Sequence, residues 1–129
     1  MKIKNFLNIV NYVEKGWGFE AWIANSPLYC GKLLCLDKKK KFSWHRHEQK
    51  DETFFCVKGK ATLYYSSDDC MEDGKFNRKL ANKIKLKPGI AFHIPVGMRH
   101  QVVAKKKTYL IEVSTEHFDT DSIRLEKGD

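Results

Sequence analysis

An antiparallel all-β fold, a sandwich or a closed barrel, is what the sequence predicts, and three observations carry that prediction. Short segments rich in β-branched and aromatic residues recur along the chain, turn-forming residues separate them at regular intervals, and the 3.6-residue apolar period of an amphipathic helix is scarce. With 129 residues, 42% hydrophobic and 12% aromatic, the chain can fill one core but not two, so it reads as one domain over residues 1–129.

The segments can be taken in order. Residues 20–24 and 29–36 come first, separated by Asn25, Ser26 and Pro27, which favour a turn over a continued ladder. Residues 42–47 follow the lysine run after Asp37. Residues 53–57 and 61–65 are joined by Lys58, Gly59 and Lys60, a hairpin signal. Residues 66–78 form a polar hairpin excursion of a length that a surface loop allows. Residues 83–86 and 91–94 flank Lys87, Pro88 and Gly89, and residues 108–114 complete the set.

Composition excludes several classes of function. The longest apolar runs fall far short of the roughly 20 residues of a membrane span, and the N-terminus lacks the continuous apolar stretch and small-residue cleavage site of a signal peptide. The expectation is a cytoplasmic protein without a membrane partner. Cys30, Cys35, Cys56 and Cys70 form no CxxC pair and read as small apolar fillers. The formal charge of +8 raises the question of nucleic acid. Its lysines cluster at 38–41 and 105–107, in polar turns with little aromatic interleaving and no nucleic-acid motif, so they read as a solvated surface that at most attracts an anionic small molecule.

The chemistry concentrates in "HRHEQKDE", residues 45–52. In a strand, positions i and i+2 share a face, so His45 and His47 project together while Trp44 and Arg46 point away. Two imidazoles so placed can share a metal, and Glu52 can add an oxygen ligand, a mixed set that divalent ions accept. A second motif, "GIAFHIPVGMRH", residues 89–100, places Pro95 at a strand end, Gly97 in a tight turn and His100 after it.

Together these stretches resemble the two motifs of the cupin superfamily. The first, G(x)5HxH(x)3-4E(x)6G, is met at His45, His47, Glu52 and Gly59; the second, G(x)5PxG(x)2H(x)3N, at Gly89, Pro95, Gly97 and His100. Lys39 stands where the first motif begins with Gly, and Ala104 where the second ends with Asn; neither is a ligand position. The resemblance implies a double-stranded β-helix, the cupin jelly-roll barrel, in which His45, His47, His100 and Glu52 hold one divalent ion (Mn, Zn, Fe, Co or Ni) and leave coordination positions open.

The flanks, residues 13–34 and 112–129, look like the borders of cupin sugar isomerases of the mannose-6-phosphate isomerase type. "HRHEQKDE" is also similar to the HxHxxKxE pattern of D-lyxose isomerases. By that likeness Lys50 and Glu112 are the acid/base pair. The implied reaction is aldose-ketose isomerisation of a sugar or sugar phosphate, in which a bound metal stabilises an enediolate. A neighbouring divalent cation is expected to disfavour the ammonium form of Lys50.

Two other readings stand beside it: a metal- or sugar-binding cupin without turnover, and an iron-dependent dioxygenase. His93 can face the cavity, His117 reads as a surface residue of the tail, and Trp17, Trp22, Trp44 and Phe92 read as core or cavity wall. Arg124 matches an arginine of the isomerase tail. The partner implied is a small carbohydrate. Residues 1–13, with Ile3, Phe6, Ile9 and Val10, have the apolar content to pair a homodimer.

Overall fold

A computed structural model describes residues 10–129. Strands β1 (Asn11–Lys15), β2 (Gly18–Asn25), β3 (Cys30–Leu36), β12 (Thr108–Ser114), β5 (Glu52–Lys58) and β10 (Ala91–Ile94) form a six-stranded sheet in the order β1-β2-β3-β12-β5-β10. A second sheet of five strands has the order β13-β4-β11-β6-β9, from β13 (Ser122–Glu126), β4 (Trp44–His47), β11 (Arg99–Ala104), β6 (Ala61–Ser66) and β9 (Asn82–Leu86). Every pairing is antiparallel. This is the jelly-roll architecture that the motifs imply.

The core lies between the sheets. Leu34, Leu36, Phe54, Cys56 and Leu110 from the first meet Leu63, Leu86 and Val102 from the second, with Trp17 and Phe42 at one end. Strand β5 shows the period that builds this interior: Glu52, Phe54 and Cys56 are buried while Phe55, Val57 and Lys58 are exposed. The same alternation puts Glu52 on the inner face, so a carboxylate enters the barrel on the strand that supplies Phe54. All four cysteines are buried and free.

Each strand read from the sequence is present to within a few residues. Three further strands of the two main sheets are additional: β1, which forms a hairpin with β2, and the long-range strands β11 and β13. The excursion over residues 66–78 carries a small hairpin of β7 (Met71–Glu72) and β8 (Lys75–Phe76). Phe76 stacks on the indole of Trp44 with centroids 3.8 Å apart.

The two departures from the motifs sit at one turn. Lys39 takes φ 66, a left-handed conformation that costs a side chain about 1 kcal/mol, at the position where glycine is usual. Its N–H donates to the carbonyl of Ala104, and the Ala104 N–H donates to Lys40, so the two positions brace each other. Lys38, Lys40 and Lys105 to Lys107 are exposed turn residues, as expected. Most of the segment assigned to dimer pairing, residues 1–9, lies outside the described residues. Among the described residues no helix is long and apolar enough to cross a membrane.

Candidate metal centre

His45 and His47 lie on β4, and β11 places His100 directly opposite His45. Antiparallel partners project to the same face, so three imidazoles converge from two strands. Their ring centroids are 4.3 Å (45 to 100), 5.0 Å (45 to 47) and 5.7 Å (47 to 100) apart. One ring nitrogen from each falls within 4.8 Å of the others, a spacing that suits a single ion. Glu52 reaches the group from β5: its Oε1 is 3.0 Å from His100 Nε2 and its Oε2 3.9 Å from His47 Nε2.

Hydrogen bonds set which nitrogens are available. His45 Nδ1 lies 2.9 Å from the Ser43 carbonyl and His100 Nδ1 3.0 Å from that of Met98, so each Nδ1 carries the proton and donates. That leaves the Nε2 lone pairs unclaimed. His100 Nε2 and Glu52 Oε1, although close, are not aligned as a hydrogen bond, and both are buried polar atoms without a partner, as is His47 Nδ1. Burial, with the neighbouring His100 imidazole acting in the same direction, pushes His45 down to about 3. Burial also lowers His47 strongly, and His45 and His100 act in the same direction. Three imidazoles and an unpartnered carboxylate oxygen around one point form a donor set that fits a divalent cation.

Asp121, which no sequence motif marks, supports this set from behind. It is 4% exposed; its Oδ1 accepts the main-chain N–H groups of Glu48 and Gln49 (3.0 and 2.8 Å), and its Oδ2 accepts that of Lys50 (3.0 Å). The same Oδ2 lies 3.5 Å from His47 Nδ1. Asp121 thus fixes the turn that joins the two halves of the first motif and faces the ring of a candidate ligand.

Lys50 and Glu112 meet inside the barrel. Lys50 Nζ is 3.1 Å from Glu112 Oε2 and 3.9 Å from Glu52 Oε2, and the side chains of Lys50 and Glu112 are 3% and 6% exposed. Glu112 points inward because β12 pairs it with Phe54 and Lys32, both buried. Burial alone would lower Lys50, but the charges of Glu112 and Glu52 outweigh it and raise the group, so these residues by themselves hold an ammonium. A cation held at the imidazoles would act in the opposite direction and disfavour the ammonium.

His45, His47, Lys50, Glu52 and Glu112 line one cavity of about 180 Å³. Its wall also holds Trp17, edge-on to Phe42, and a second ion pair, buried Lys32 with Nζ 3.5 Å from Oε1 of half-buried Glu20. Lys32 also lies over the Trp22 ring, whose Nε1 donates to Glu20. Lys32 shares an inward face with Leu34 and Leu36, and a lysine at that register was the signal available for it. His117 is likewise part of the cavity wall, which corrects its reading as a surface residue. His93 instead faces outward beside Asp51. Exposed Arg124, opposite His45 on β13, borders the cavity.

The family follows from the sequence as well as the shape. The cupin domain model matches residues 32–114, and the chain belongs to that family. Comparison with curated proteins finds no match. Among solved structures the chain is similar to KdgF from Halomonas sp., with 19% identity, a TM-score of 0.68, and coverage of 85% of this chain and 89% of that one. It is similar to the capsular polysaccharide assembling protein CapF from Staphylococcus aureus, with 18% identity and a TM-score of 0.76, over 98% of this chain. Oxalate decarboxylase from Bacillus subtilis matches at 13% identity and a TM-score of 0.71, over 90% of this chain. The chain spans only 34% and 30% of those last two proteins, and at these identities the likeness is one of fold.

Proposed function

We propose that this cupin is a metal-dependent aldose-ketose isomerase acting on a sugar or sugar phosphate. The observation that carries the reading is the Lys50–Glu112 pair, 3.1 Å apart, buried in the same cavity as His45, His47 and the Glu52 carboxylate. His45, His47, His100 and Glu52 would hold one divalent ion, which when bound would polarise the carbonyl and hydroxyl oxygens of the substrate.

The remaining chemistry is proton traffic by this chain's own side chains. Glu112, as carboxylate, takes the proton from the carbon beside the carbonyl and returns it to the neighbouring carbon. Lys50, as ammonium, gives a proton to the carbonyl oxygen and recovers one from the adjacent hydroxyl. The net change is a transposed hydrogen, so no redox partner is needed. Trp17 and Phe42 supply an apolar wall on which a sugar ring can rest.

Elemental analysis of the purified protein, followed by a screen of aldoses and their phosphates with metal restored, tests the reading. Lys50→Ala and Glu112→Gln should abolish turnover with metal content unchanged, and manganese-loaded protein should turn over without oxygen. Turnover that consumes oxygen and requires iron would replace the isomerase with a dioxygenase. Metal retention with no turnover on any aldose would leave a binding module.

A further inference from the structure

The cavity holds a second charged pair that the isomerisation chemistry does not use. Lys32 and Glu20 both line its wall, and the Lys32 side chain is only 2% exposed. An ammonium carries three N–H donors. Among the described residues the one hydrogen-bond acceptor Nζ meets is Glu20 Oε1, at 3.5 Å, longer than the roughly 2.7 to 3.2 Å usual for such a bond. The Trp22 ring, 4.2 Å from Nζ, covers another side of the charge. Glu20 is half-used as well: Oε1 accepts from the Trp22 indole at 2.8 Å and from Lys32, whereas Oε2 meets no donor among the described residues. A buried ammonium with a spare donor thus stands beside a carboxylate with a spare acceptor.

The register of the sheet sets this pair in line with Glu112. On the inner face of the six-stranded sheet, Trp22 of β2 pairs with Lys32 of β3, Lys32 with Glu112 of β12, and Glu112 with Phe54 of β5. Neighbouring strands stand about 5 Å apart, so Lys32 lies one strand from Glu112 and two strands, about 10 Å, from the strand that supplies Glu52. A sugar whose reacting carbons lie at Glu112 covers that step with the rest of its carbon chain, which carries its last hydroxyls over Lys32 and Glu20.

Charge decides which end group fits there. Lys32 is already matched by Glu20, so a phosphate or carboxylate arriving at the pair meets one cation and one anion at nearly the same range. A hydroxyl both accepts and donates, and so uses the spare donor and the spare acceptor together. Lys15 and Arg124, the remaining cations of the wall besides Lys50, are exposed and screened by water.

We propose that Lys32 and Glu20 form the subsite for the distal hydroxyls of a neutral sugar, Lys32 donating and Glu20 accepting. The role rests on the reading of this cavity as the seat of a sugar whose reacting carbons lie at Lys50 and Glu112.

Calorimetric titration of the metal-loaded protein with D-sorbitol and with glycerol tests the subsite without turnover, since neither has a carbonyl to react. Sorbitol is long enough to reach from the imidazoles to Lys32, whereas glycerol fills one end alone, so the wild type should prefer sorbitol. Lys32→Met and Glu20→Gln should each shrink that preference by about tenfold, through loss of a hydrogen bond to a charged group. Glu20→Gln keeps an oxygen to accept from Trp22, so it serves as the test even where Lys32→Met fails to fold. An unchanged preference in Glu20→Gln, or a wild type that binds no sorbitol, would overturn the proposal. So would sorbitol 6-phosphate binding more tightly than sorbitol and losing that advantage in Lys32→Met, which would make Lys32 an anion site. A wild type that turns over no aldose, yet binds sorbitol in a way that depends on Glu20, would remove the isomerase reading and keep the subsite.

Discussion

Asp121 Oδ2 stands 3.5 Å from Nδ1 of His47 while accepting the main-chain N–H of Lys50 at 3.0 Å. One carboxylate therefore addresses both a candidate metal ligand and the turn that carries the candidate acid. Asp121→Ala should strand three main-chain donors and cost about 2 to 3 kcal/mol in chemical denaturation. It should also weaken metal binding roughly 10- to 100-fold in a calorimetric titration. Asp121→Asn, which keeps an oxygen acceptor, should fall between that variant and the wild type.

Metal itself should stabilise the fold. At a thousandfold excess over Kd, binding to the native state alone adds about 4 kcal/mol and raises Tm accordingly. The His100→Ala variant lacks one of the three clustered imidazoles and should show little of that shift with Mn, Zn, Fe, Co or Ni. Calorimetric scans with and without chelator make the comparison.

The buried ion pair should behave as a coupled unit. Glu112→Gln leaves the Lys50 ammonium in the interior with only the more distant Glu52 carboxylate, and should cost about 3 kcal/mol. Lys50→Met together with Glu112→Gln removes both charges and should recover much of that loss. A double-mutant cycle with a small coupling energy would mean the two side chains act independently.

Acid should unfold the metal-free protein earlier than an ordinary carboxylate balance would suggest. His45 titrates near 3 when folded and near 6.5 when unfolded, so between those values the unfolded chain binds the extra proton. Stability from this group is complete above pH 6.5 and declines as pH falls, by up to about 1.4 kcal/mol per pH unit. His47 contributes in the same direction. Denaturation midpoints between pH 7 and pH 4 should fall in wild type and fall less steeply in His45→Gln.

Lys39→Gly should stabilise the protein, since φ 66 is strained for lysine and free for glycine. The expected gain is under about 1 kcal/mol, because glycine also widens the unfolded ensemble. Gly59→Ala should do the reverse: at φ 108 an added Cβ runs into the carbonyl of Lys107 and into Thr108.

How much of this was legible in the sequence depended on which pattern each residue had to display. The alternation of β3, β5 and β12 shows in the chain because one face of each is apolar. Strand β11 hides: His100, Gln101 and Val102 are all fully buried, and two of the three are polar, so no apolar period marks it. Gln101 tolerates that burial by donating to the Phe42 carbonyl, a contact 59 residues away that no local window contains. β1 hides for the opposite reason, being exposed at four of its five positions. The imidazole set was legible because two candidate ligands share one strand. Asp121 and His117 were not, since the groups they meet across the cavity lie 67 to 92 residues away in sequence and only the folded tail brings them there.

The three tryptophans occupy different settings, and that difference has a practical side. Trp44 is sealed behind the imidazoles against Phe76, its indole N–H donating to the Asp69 carbonyl, whereas Trp17 lines the cavity. The protein therefore carries a built-in fluorophore at its cavity wall and another shielded from it. Emission quenched in Trp44→Phe by an entering ligand, and unchanged by that ligand in Trp17→Phe, would turn native fluorescence into a label-free assay for what this barrel accepts.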